Sequence, residues 1–368
     1  MSAIYRDIGI LGVGLWDGEV ITNDFFGPDY LRRAQAREPF RGIRGDDGTV
    51  RIAGLVLDPR QHARTIAAIE RSFADGYRGT VRRRRFPDHL KASEAEADAA
   101  RKALADAGLQ PSEVDLLLVQ SYLPDVPQPK NAGLIAEQLG IRNAASWEVD
   151  SLCNSVISQA NVAAALIHSG QVRHALCVQS VAYSRTSNPG TSAAVLDGDM
   201  ASAFVMGRRP GAQMTFAWRT DGRLHDSFQL RWMTPAEAPP RRYWEPSQER
   251  LLVYHDEALQ REVMSGIAEH ARIVCTEVLR RLEIKLEEVE LFLSHQPLAW
   301  FSAFMEDVLG LPDGIAFHTF EEYASINSCS IAASMCAARK QGRLRPGTKL
   351  LLFGPATGNV YGAAAMRF

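Results

Sequence analysis

Residues 145–170 read ASWEVDSLCNSVISQANVAAALIHSG and join a short apolar strand directly to a long alanine-rich helix. The strand is expected over Ala145–Val149 and the helix over Asn154–Ser169, with apolar residues at helical spacing. Gly170 stands where a left-handed C-cap would end the helix. A second buried strand, His174–Val181, follows at once. This strand–helix–strand order is typical of a mostly parallel sheet covered by helices on both faces.

The rest of the chain continues the alternation of strands and helices. In one of the helices, Ser93 is expected as the N-cap, with Glu96 completing a capping box. Further strands are predicted over Arg6–Val13, Val114–Gln120, Ala201–Met206, Val289–Leu293, Ile315–His318, Lys349–Phe353 and Val360–Met366. Further helices are predicted over Ser93–Gly108, up to Gly140, over Glu257–Leu282, up to Leu309 and over Asn327–Gln341.

An internal match indicates a duplicated architecture. Residues 169–178 (SGQVRHALCV) parallel residues 341–352 (QGRLRPGTKLLL), and both close a helix rich in small residues before a buried strand. We therefore predict an α/β fold of two similar βαβαβ halves, residues 1–208 and 209–368. The segment Arg219–Tyr254 is rich in proline and arginine, and it is interpreted as a surface connection or a loop covering the substrate.

Composition excludes several classes of protein. The 368 residues are 46% hydrophobic and 23% charged, with a net charge of −2, which leaves no electrostatic footprint for nucleic acid. No apolar run approaches the ~20 residues of a membrane span, and the first residues lack the apolar core of a signal peptide, so a cytoplasmic location is expected. Five cysteines without Cys-x-x-Cys spacing support neither a disulfide framework nor a zinc site.

Cys153 is the candidate nucleophile because it lies where the strand meets the helix. The N-terminus of a helix favours a thiolate through its free N–H groups and its dipole. The alternative is a packing role, which is the interpretation for Cys177, Cys275, Cys329 and Cys336.

Two further polar residues occupy comparable positions at strand or helix ends. His295 follows a strand, and Asn327 begins a helix, where a plain N-cap is the alternative. If both converge on Cys153, their N–H groups could hold a thioester carbonyl and stabilise its enolate. The backbone N–H of Gly358, in a flexible loop, could join that of Cys153 in an oxyanion hole. Asp199 is expected to hold backbone N–H groups around the site.

In order and spacing, these residues resemble the ketoacyl synthase III branch of the thiolase superfamily. The resemblance covers most of the chain and implies that Cys153 is acylated, with His295 and Asn327 completing a Cys-His-Asn set. The segments that carry it are Arg6-Asp-Ile-Gly-Ile-Leu-Gly-Val-Gly, Asp150-Ser-Leu-Cys153, Val181-Ala-Tyr-Ser-Arg185-Thr-Ser, Gly198-Asp199, Ser294-His295-Gln296, Ile326-Asn327-Ser and Tyr361-Gly-Ala-Ala-Ala-Met-Arg367-Phe368.

The resemblance also implies the fold, the substrates and the partners. It implies a thiolase-like fold layered α-β-α-β-α and a homodimer, with the loop around Gln128 reaching the partner's acyl pocket. Substrates would be thioesters of coenzyme A or of the phosphopantetheine of an acyl carrier protein, with no tightly bound cofactor and no metal. Arg185, and more loosely Arg78, match positions that contact coenzyme A in the family.

Several departures from the family pattern suggest a specialised member, in polyketide or other secondary metabolism. Trp300 stands where the family often has an arginine that docks the carrier protein, and Ile326 replaces a glycine. Pro355–Gly358 replaces a triple-glycine run, and extra residues lie between Arg41 and Arg78. Asn327 favours decarboxylative condensation with a malonyl-type acceptor. Acyl transfer to a hydroxyl or amine and a catalytically silent partner of another synthase remain as alternatives.

Overall fold

The computed structural model describes residues 3–27, 29–30, 32, 43–187, 192–232 and 251–368. The strands are β1 (Tyr5–Leu15), β2 (Glu19–Thr22), β3 (Ile43–Arg44), β4 (Val50–Ile52), β5 (Leu55–Leu57), β6 (Arg82–Arg85), β7 (Leu116–Ser121), β8 (Ala145–Glu148), β9 (Ala175–Ala182), β10 (Asp199–Thr220), β11 (Phe228–Trp232), β12 (Leu251–His255), β13 (Leu291–Ser294), β14 (Lys349–Ala356) and β15 (Val360–Arg367). In the described residues from 43 onward, the α-helices are α1 (Ala63–Ala74), α2 (Ala92–Ala107), α3 (Ala132–Leu139), α4 (Ser155–His168), α5 (Glu257–Arg281), α6 (Phe301–Leu309), α7 (Phe320–Tyr323) and α8 (Ser330–Lys340).

One long strand, β10, belongs to both halves of the main sheet. The order of strands is β13-β14-β15-β10-β9-β7-β8, and β1 also pairs with β10. Residues 199–206 of β10 pair with β9, whereas residues 213–220 pair with β15. The predicted division after residue 208 therefore lies inside this strand.

The sheet is mixed, so the prediction of a mostly parallel sheet was wrong. The pairs β7/β8, β7/β9 and β13/β14 are parallel, but β10 is antiparallel to β1, β9 and β15, and β14 is antiparallel to β15. A short turn joins β14 to β15, which requires an antiparallel pair. The predicted strand over Ile315–His318 forms only an isolated parallel bridge, between Ala316 and Phe292.

The alternation of side chains along the strands separates five layers. Leu116 and Leu118 of β7 pack with α4 and α8 in one core, whereas Leu117 and Val119 pack with α2 and α3 in another. In the other half, Leu350 and Leu352 join the central core, and Leu351 and Phe353 of β14 pack with α5 and α6. The layering α-β-α-β-α predicted from the resemblance is confirmed.

The two central helices repeat the same local design. A 3-10 turn precedes each helix, Leu152–Asn154 before α4 and Asn327–Cys329 before α8. After the helices, Gly170 and Gly342 both have positive φ, and a buried strand follows each. The duplication predicted from the sequence match is thus visible in the backbone.

The predicted capping box at Ser93 and Glu96 was wrong. The helix α2 begins one residue earlier, and its box joins Lys91 to Glu94, whose Oε2 accepts a hydrogen bond from the Lys91 N–H at 2.8 Å. Glu96 instead points into the core and is fully buried. Its carboxyl group accepts hydrogen bonds from Ser121 Oγ at 2.6 Å, Ser180 Oγ at 2.5 Å and Asn131 Nδ2 at 2.8 Å.

The extra residues before Arg78 build a small unit on the outside of α5 and α6. Strands β3–β5 form a separate sheet, and residues of β4, β5 and α1 share one apolar core with α5 and α6. Asp307 connects α6 to α1. It accepts hydrogen bonds from Arg64 Nε at 2.7 Å, Thr65 N at 2.9 Å and Thr65 Oγ1 at 2.6 Å. Within the described ranges, no helix combines the length and apolarity needed to cross a membrane.

Candidate active site

The three predicted catalytic residues lie at the ends of secondary-structure elements, one in the first half of the chain and two in the second. Cys153 lies in the turn before α4, His295 directly follows β13, and Asn327 begins the turn before α8. All three are buried. Cys153 and His295 line one cavity of about 620 Å³. Asn327 lies next to His295, because its backbone hydrogen-bonds the imidazole ring.

Cys153 sits in a tightly bent turn. Leu152, just before it, has a φ of 48°, and its N–H donates to Asp150 Oδ1 at 2.8 Å. Burial raises the pKa of the Cys153 thiol to about 11, although hydrogen bonds from the backbone and side chain of Thr357 act in the opposite direction. The thiolate expected from the sequence is therefore not stabilised in the free protein, because burial raises the pKa of the thiol by more than the helix N-terminus lowers it.

The residue beside the sulfur is Thr357, one position before the predicted Gly358. Its N–H and its hydroxyl both hydrogen-bond the thiolate form of Cys153, and it lines the cavity. Gly358 has a φ of 79°, which a glycine accommodates without strain, and it faces His225. The loop proposed from the sequence thus meets Cys153 through Thr357, and the part of the Gly358 N–H in an oxyanion hole stays a prediction.

His295 is held as a neutral imidazole. Burial lowers its pKa to about 4, and the hydrogen bond to the Asn327 backbone only partly opposes this change. Nδ1 lies 3.4 Å from Ser330 Oγ at the start of α8. A neutral imidazole has one N–H donor and one free acceptor nitrogen, so it can act as a base or hold a carbonyl oxygen.

Asn327 does not present its amide to the cavity directly. Its φ is 45°, and its Nδ2 donates to the Tyr183 hydroxyl oxygen at 2.6 Å. Tyr183 lines the cavity, whereas Asn327 is not among its described lining residues. Tyr183 was not singled out from the sequence, although it lies inside the Val181–Ser187 segment that carries the resemblance.

Asp199 behaves as predicted. Its carboxylate accepts hydrogen bonds from the backbone N–H groups of Phe86 and Ser184, both at 2.8 Å. This brace joins β10 to the turn after β9 and to the strand that precedes α2.

The two predicted coenzyme A arginines are occupied elsewhere in this structure. Arg185 donates to the carbonyl oxygens of Pro87 and Leu90, and Arg78 stacks 4.2 Å from the centre of the Phe73 ring. Among the described residues, neither arginine lines the cavity. Their role in binding coenzyme A stays a prediction.

The cavity has an apolar wall and a polar wall. Described residues of the proline-rich segment line it, including Phe228 of β11 and Val253 of β12, while residues 233–250 lie outside the described part. On the polar side, Asp197 accepts a hydrogen bond from Ser187, and burial raises the pKa of Asp197 to about 7. Asp197 was missed because the sequence shows it only as one acid beside Gly198. The apolar wall includes Val263, Met264, Ile267, Leu298 and Phe301.

Comparisons with known proteins agree with this geometry. Residues 147–222 match the family described as 3-oxoacyl-[acyl-carrier-protein (ACP)] synthase III, and residues 279–368 match its C-terminal family. A beta-ketoacyl-[acyl-carrier-protein] synthase III from Bordetella petrii is 28% identical over 274 residues, 73% of this chain and 80% of that protein. The enzyme of the same name from Sphingopyxis alaskensis is 28% identical over 282 residues, 76% of this chain and 85% of its own.

Solved structures share the fold over almost the whole chain. The 3-oxoacyl-[acyl-carrier-protein] synthase III from Aquifex aeolicus has a TM-score of 0.75 at 21% identity, covering 98% of this chain and 100% of its own. An OleA variant from Xanthomonas campestris has a TM-score of 0.75 at 19% identity, covering 99% of both chains. Over most of its length the chain is therefore similar to ketoacyl-acyl-carrier-protein synthases III and shares their fold, with a buried cysteine and histidine lining one cavity.

Proposed function

We propose that Cys153 takes an acyl group from a coenzyme A or carrier-protein thioester and passes it to a malonyl-type acceptor by decarboxylative Claisen condensation. The observation that supports this most is the shared cavity of Cys153 and a neutral His295, with the Asn327 amide held behind it. An uncharged His295 in the cavity of the nucleophile suits a reaction whose driving step is loss of carbon dioxide.

In the loading step, the Cys153 sulfur attacks the thioester carbon while His295 accepts the thiol proton. The pKa of the thiol is about 11 and that of the imidazole about 4, so full transfer before attack is unfavourable, and we expect the two events to be concerted. The N–H groups of Cys153 and Thr357 stabilise the oxyanion. The coenzyme A sulfur then leaves and takes the proton from His295.

In the condensation step, the bond between the acceptor's carboxylate carbon and its α-carbon breaks. Carbon dioxide leaves, and the electron pair forms an enolate, which needs hydrogen-bond donors at its oxygen. His295 supplies one donor when its single proton lies on the nitrogen that faces the cavity, and the Tyr183 hydroxyl, which Asn327 holds, supplies the second. The α-carbon attacks the acyl group, and Cys153 leaves as a thiolate that takes up a proton from water.

One observation favours a second candidate, acyl transfer to a hydroxyl or amine. Such an acceptor must lose a proton, which a neutral His295 with a low pKa does poorly. Asp197 lines the same cavity with a pKa near 7 and would serve as that base. Condensation remains the better supported function, because it uses the three residues that the fold brings together.

We propose that the protein works as a homodimer in specialised metabolism. Strand β8 is an edge strand, and the exposed fraction of Trp147 on it is 46%. Val126 and Leu134, from the neighbouring loop and α3, are also exposed, at 48% and 42%. An open edge flanked by large apolar side chains fits pairing with a second copy, near the Gln128 loop. The added unit of β3–β5 and α1 supports a role other than fatty-acid initiation.

Intact-mass measurement tests the proposed function. The protein is mixed with a panel of acyl-coenzyme A thioesters and then with malonyl-coenzyme A or malonyl carrier protein. We expect an acyl adduct that is absent in Cys153→Ala, and carbon dioxide release that depends on the malonyl acceptor. An adduct that is discharged only by alcohols or amines, without carbon dioxide, would establish acyl transfer instead. No adduct with any donor would support a silent partner.

A further inference from the structure

Asn327 is separated from the cavity by a tyrosine. The Asn327 Nδ2 donates to the Tyr183 hydroxyl oxygen at 2.6 Å, a short and buried hydrogen bond. Of this pair, Tyr183 lines the cavity together with Cys153 and His295, and Asn327 is absent from the lining among described residues. A substrate in the cavity therefore meets the tyrosine hydroxyl before the asparagine amide.

The direction of this hydrogen bond leaves a donor for the substrate. The amide N–H donates, so the tyrosine oxygen accepts, and the phenolic hydrogen is free to point elsewhere. Burial, with Cys153 as the next cause, raises the pKa of Tyr183 well above its ordinary value, so the phenol keeps its proton. An amide that donates to a hydroxyl also polarises it, which strengthens its onward hydrogen bond.

The tyrosine ring is well fixed. Tyr183 lies in a 3-10 turn directly after β9, and the Tyr122 ring meets it edge-on with the ring centres 5.1 Å apart. The Tyr122 hydroxyl is engaged with Thr186 Oγ1 at 3.2 Å, and Tyr122 is not among the described residues that line the cavity. The two neighbouring tyrosines thus offer a catalytic candidate and a matched control.

We propose that Tyr183 is a catalytic residue whose O–H donates a hydrogen bond to the acceptor's thioester oxygen as the enolate forms, and that Asn327 is its positioning residue. The inference rests on the proposed condensation. No covalent bond to Tyr183 forms, and its proton stays on the phenol: carbon dioxide leaves the acceptor, and the released electron pair moves to the oxygen that Tyr183 and His295 hold.

The test compares Tyr183→Phe with Tyr122→Phe, because each substitution removes one hydroxyl and keeps the ring. Acyl loading of Cys153 is followed by intact mass, and decarboxylation of malonyl-coenzyme A is followed separately. For Tyr183→Phe we expect loading within about threefold of the parent and a kcat for decarboxylation lower by about 100-fold or more, with little change in KM. Tyr122→Phe should change both steps less than threefold.

A double substitution separates the two roles. If Asn327 acts through Tyr183, Asn327→Ala should lower decarboxylation, and the pair Tyr183→Phe with Asn327→Ala should be no slower than Tyr183→Phe alone. Decarboxylation that survives in Tyr183→Phe but is lost in Asn327→Ala would overturn the proposal, because the amide would then act directly. If the parent protein forms no acyl adduct, the proposed function itself fails. If the parent is acylated and decarboxylates malonyl-coenzyme A, and Tyr183→Phe does both equally well, only the role proposed for Tyr183 is refuted.

Discussion

Burial shifts the two reacting side chains in opposite directions. Water cannot reach Cys153 or His295 freely, so the charged form of each is disfavoured, which raises the pKa of the thiol and lowers that of the imidazole. The resting site is therefore an uncharged pair, and charge develops only when a thioester is present. A sequence cannot show this, because the effect depends on which side chains exclude water around the pair.

The pH dependence of acyl loading should reflect this uncharged pair. Because His295 has a pKa of about 4, the loading rate should stay nearly constant from pH 5.5 to 8.5 and fall only as the ring is protonated near pH 4. Rapid quench followed by intact mass at each pH measures the rate. An acidic limb centred near 6.5 would show that the ring is not desolvated, and His295→Asn serves as the control that should lack the limb.

Glu96 makes the stability of the fold depend on pH. Burial raises its pKa from 4.5 to about 7, so between these values the folded protein holds a proton that the unfolded chain has released. Stability should therefore fall as pH rises through this window, by roughly 1.4 kcal/mol per pH unit at most. Glu96→Gln should flatten that slope in urea unfolding at pH 5, 6, 7 and 8. Glu137→Gln, on an exposed ion pair, should leave it unchanged; equal slopes in all three proteins would contradict the assignment.

At the scale of elements, the nucleophile turn is packed tightly against the end of β14. The Asn154 Nδ2 donates to the Val360 carbonyl oxygen at 2.9 Å, and Asn154 Oδ1 would lie 2.0 Å from a Cβ placed on Gly354. Glycine at 354 is therefore needed for the close approach of Asn154, the residue next to Cys153.

Gly354→Ala should displace Asn154 and disturb the nucleophile turn. We expect the free energy of unfolding to fall by about 1–3 kcal/mol and acyl loading to slow by more than the loss of folded protein explains. Thermal unfolding and the loading rate are the measurements. Adding Asn154→Gly should restore part of the loading, and Gly133→Ala, where a Cβ meets nothing within 4 Å, should be harmless. Full activity in Gly354→Ala would show that the turn adjusts freely.

Sequence periodicity and composition predicted the secondary-structure elements better than they predicted the contacts between side chains. The strand and helix around Cys153 were predicted to within a residue or two, because their apolar spacing is local information. Glu96 was misassigned because Ser93-Glu-Ala-Glu96 matches the capping-box pattern, whereas the box in the structure joins Lys91 and Glu94, a pair that does not match it. Tyr183 and Thr357 were missed because each acts through a partner far along the chain.

At the scale of the whole molecule, the added unit is anchored at two buried acids of α6, Glu306 and Asp307. The side chain of Asp307 is only 5% exposed, and it binds both Arg64 and Thr65 of α1. On the inner side of the same layer, Val263, Met264 and Ile267 of α5 line the cavity. The unit therefore supports the helix that forms the apolar wall.

Asp307→Ala should detach α1 from this layer. Removing a buried carboxylate leaves its hydrogen-bond donors without an acceptor, so we expect a loss of about 2–4 kcal/mol in the free energy of unfolding. Urea unfolding gives this value, and the acyl-chain preference of loading should broaden as the apolar wall loosens. The exposed pair Arg142–Glu137 offers the comparison, since Arg142→Ala should change stability little. A loss below 0.5 kcal/mol for Asp307→Ala would show that the apolar contacts and the remaining ion pairs of Arg64 hold the unit without Asp307.

The repeated turns before α4 and α8 have a consequence for how such an enzyme diversifies. By position in the two turns, Leu152 corresponds to Asn327 and Cys153 to Ser328, so one copy kept the nucleophile and the other kept the orienting amide. The nucleophile and the amide proposed to orient Tyr183 are therefore encoded in two separate segments of the chain, and a substitution at Asn327 leaves the segment that carries Cys153 unchanged.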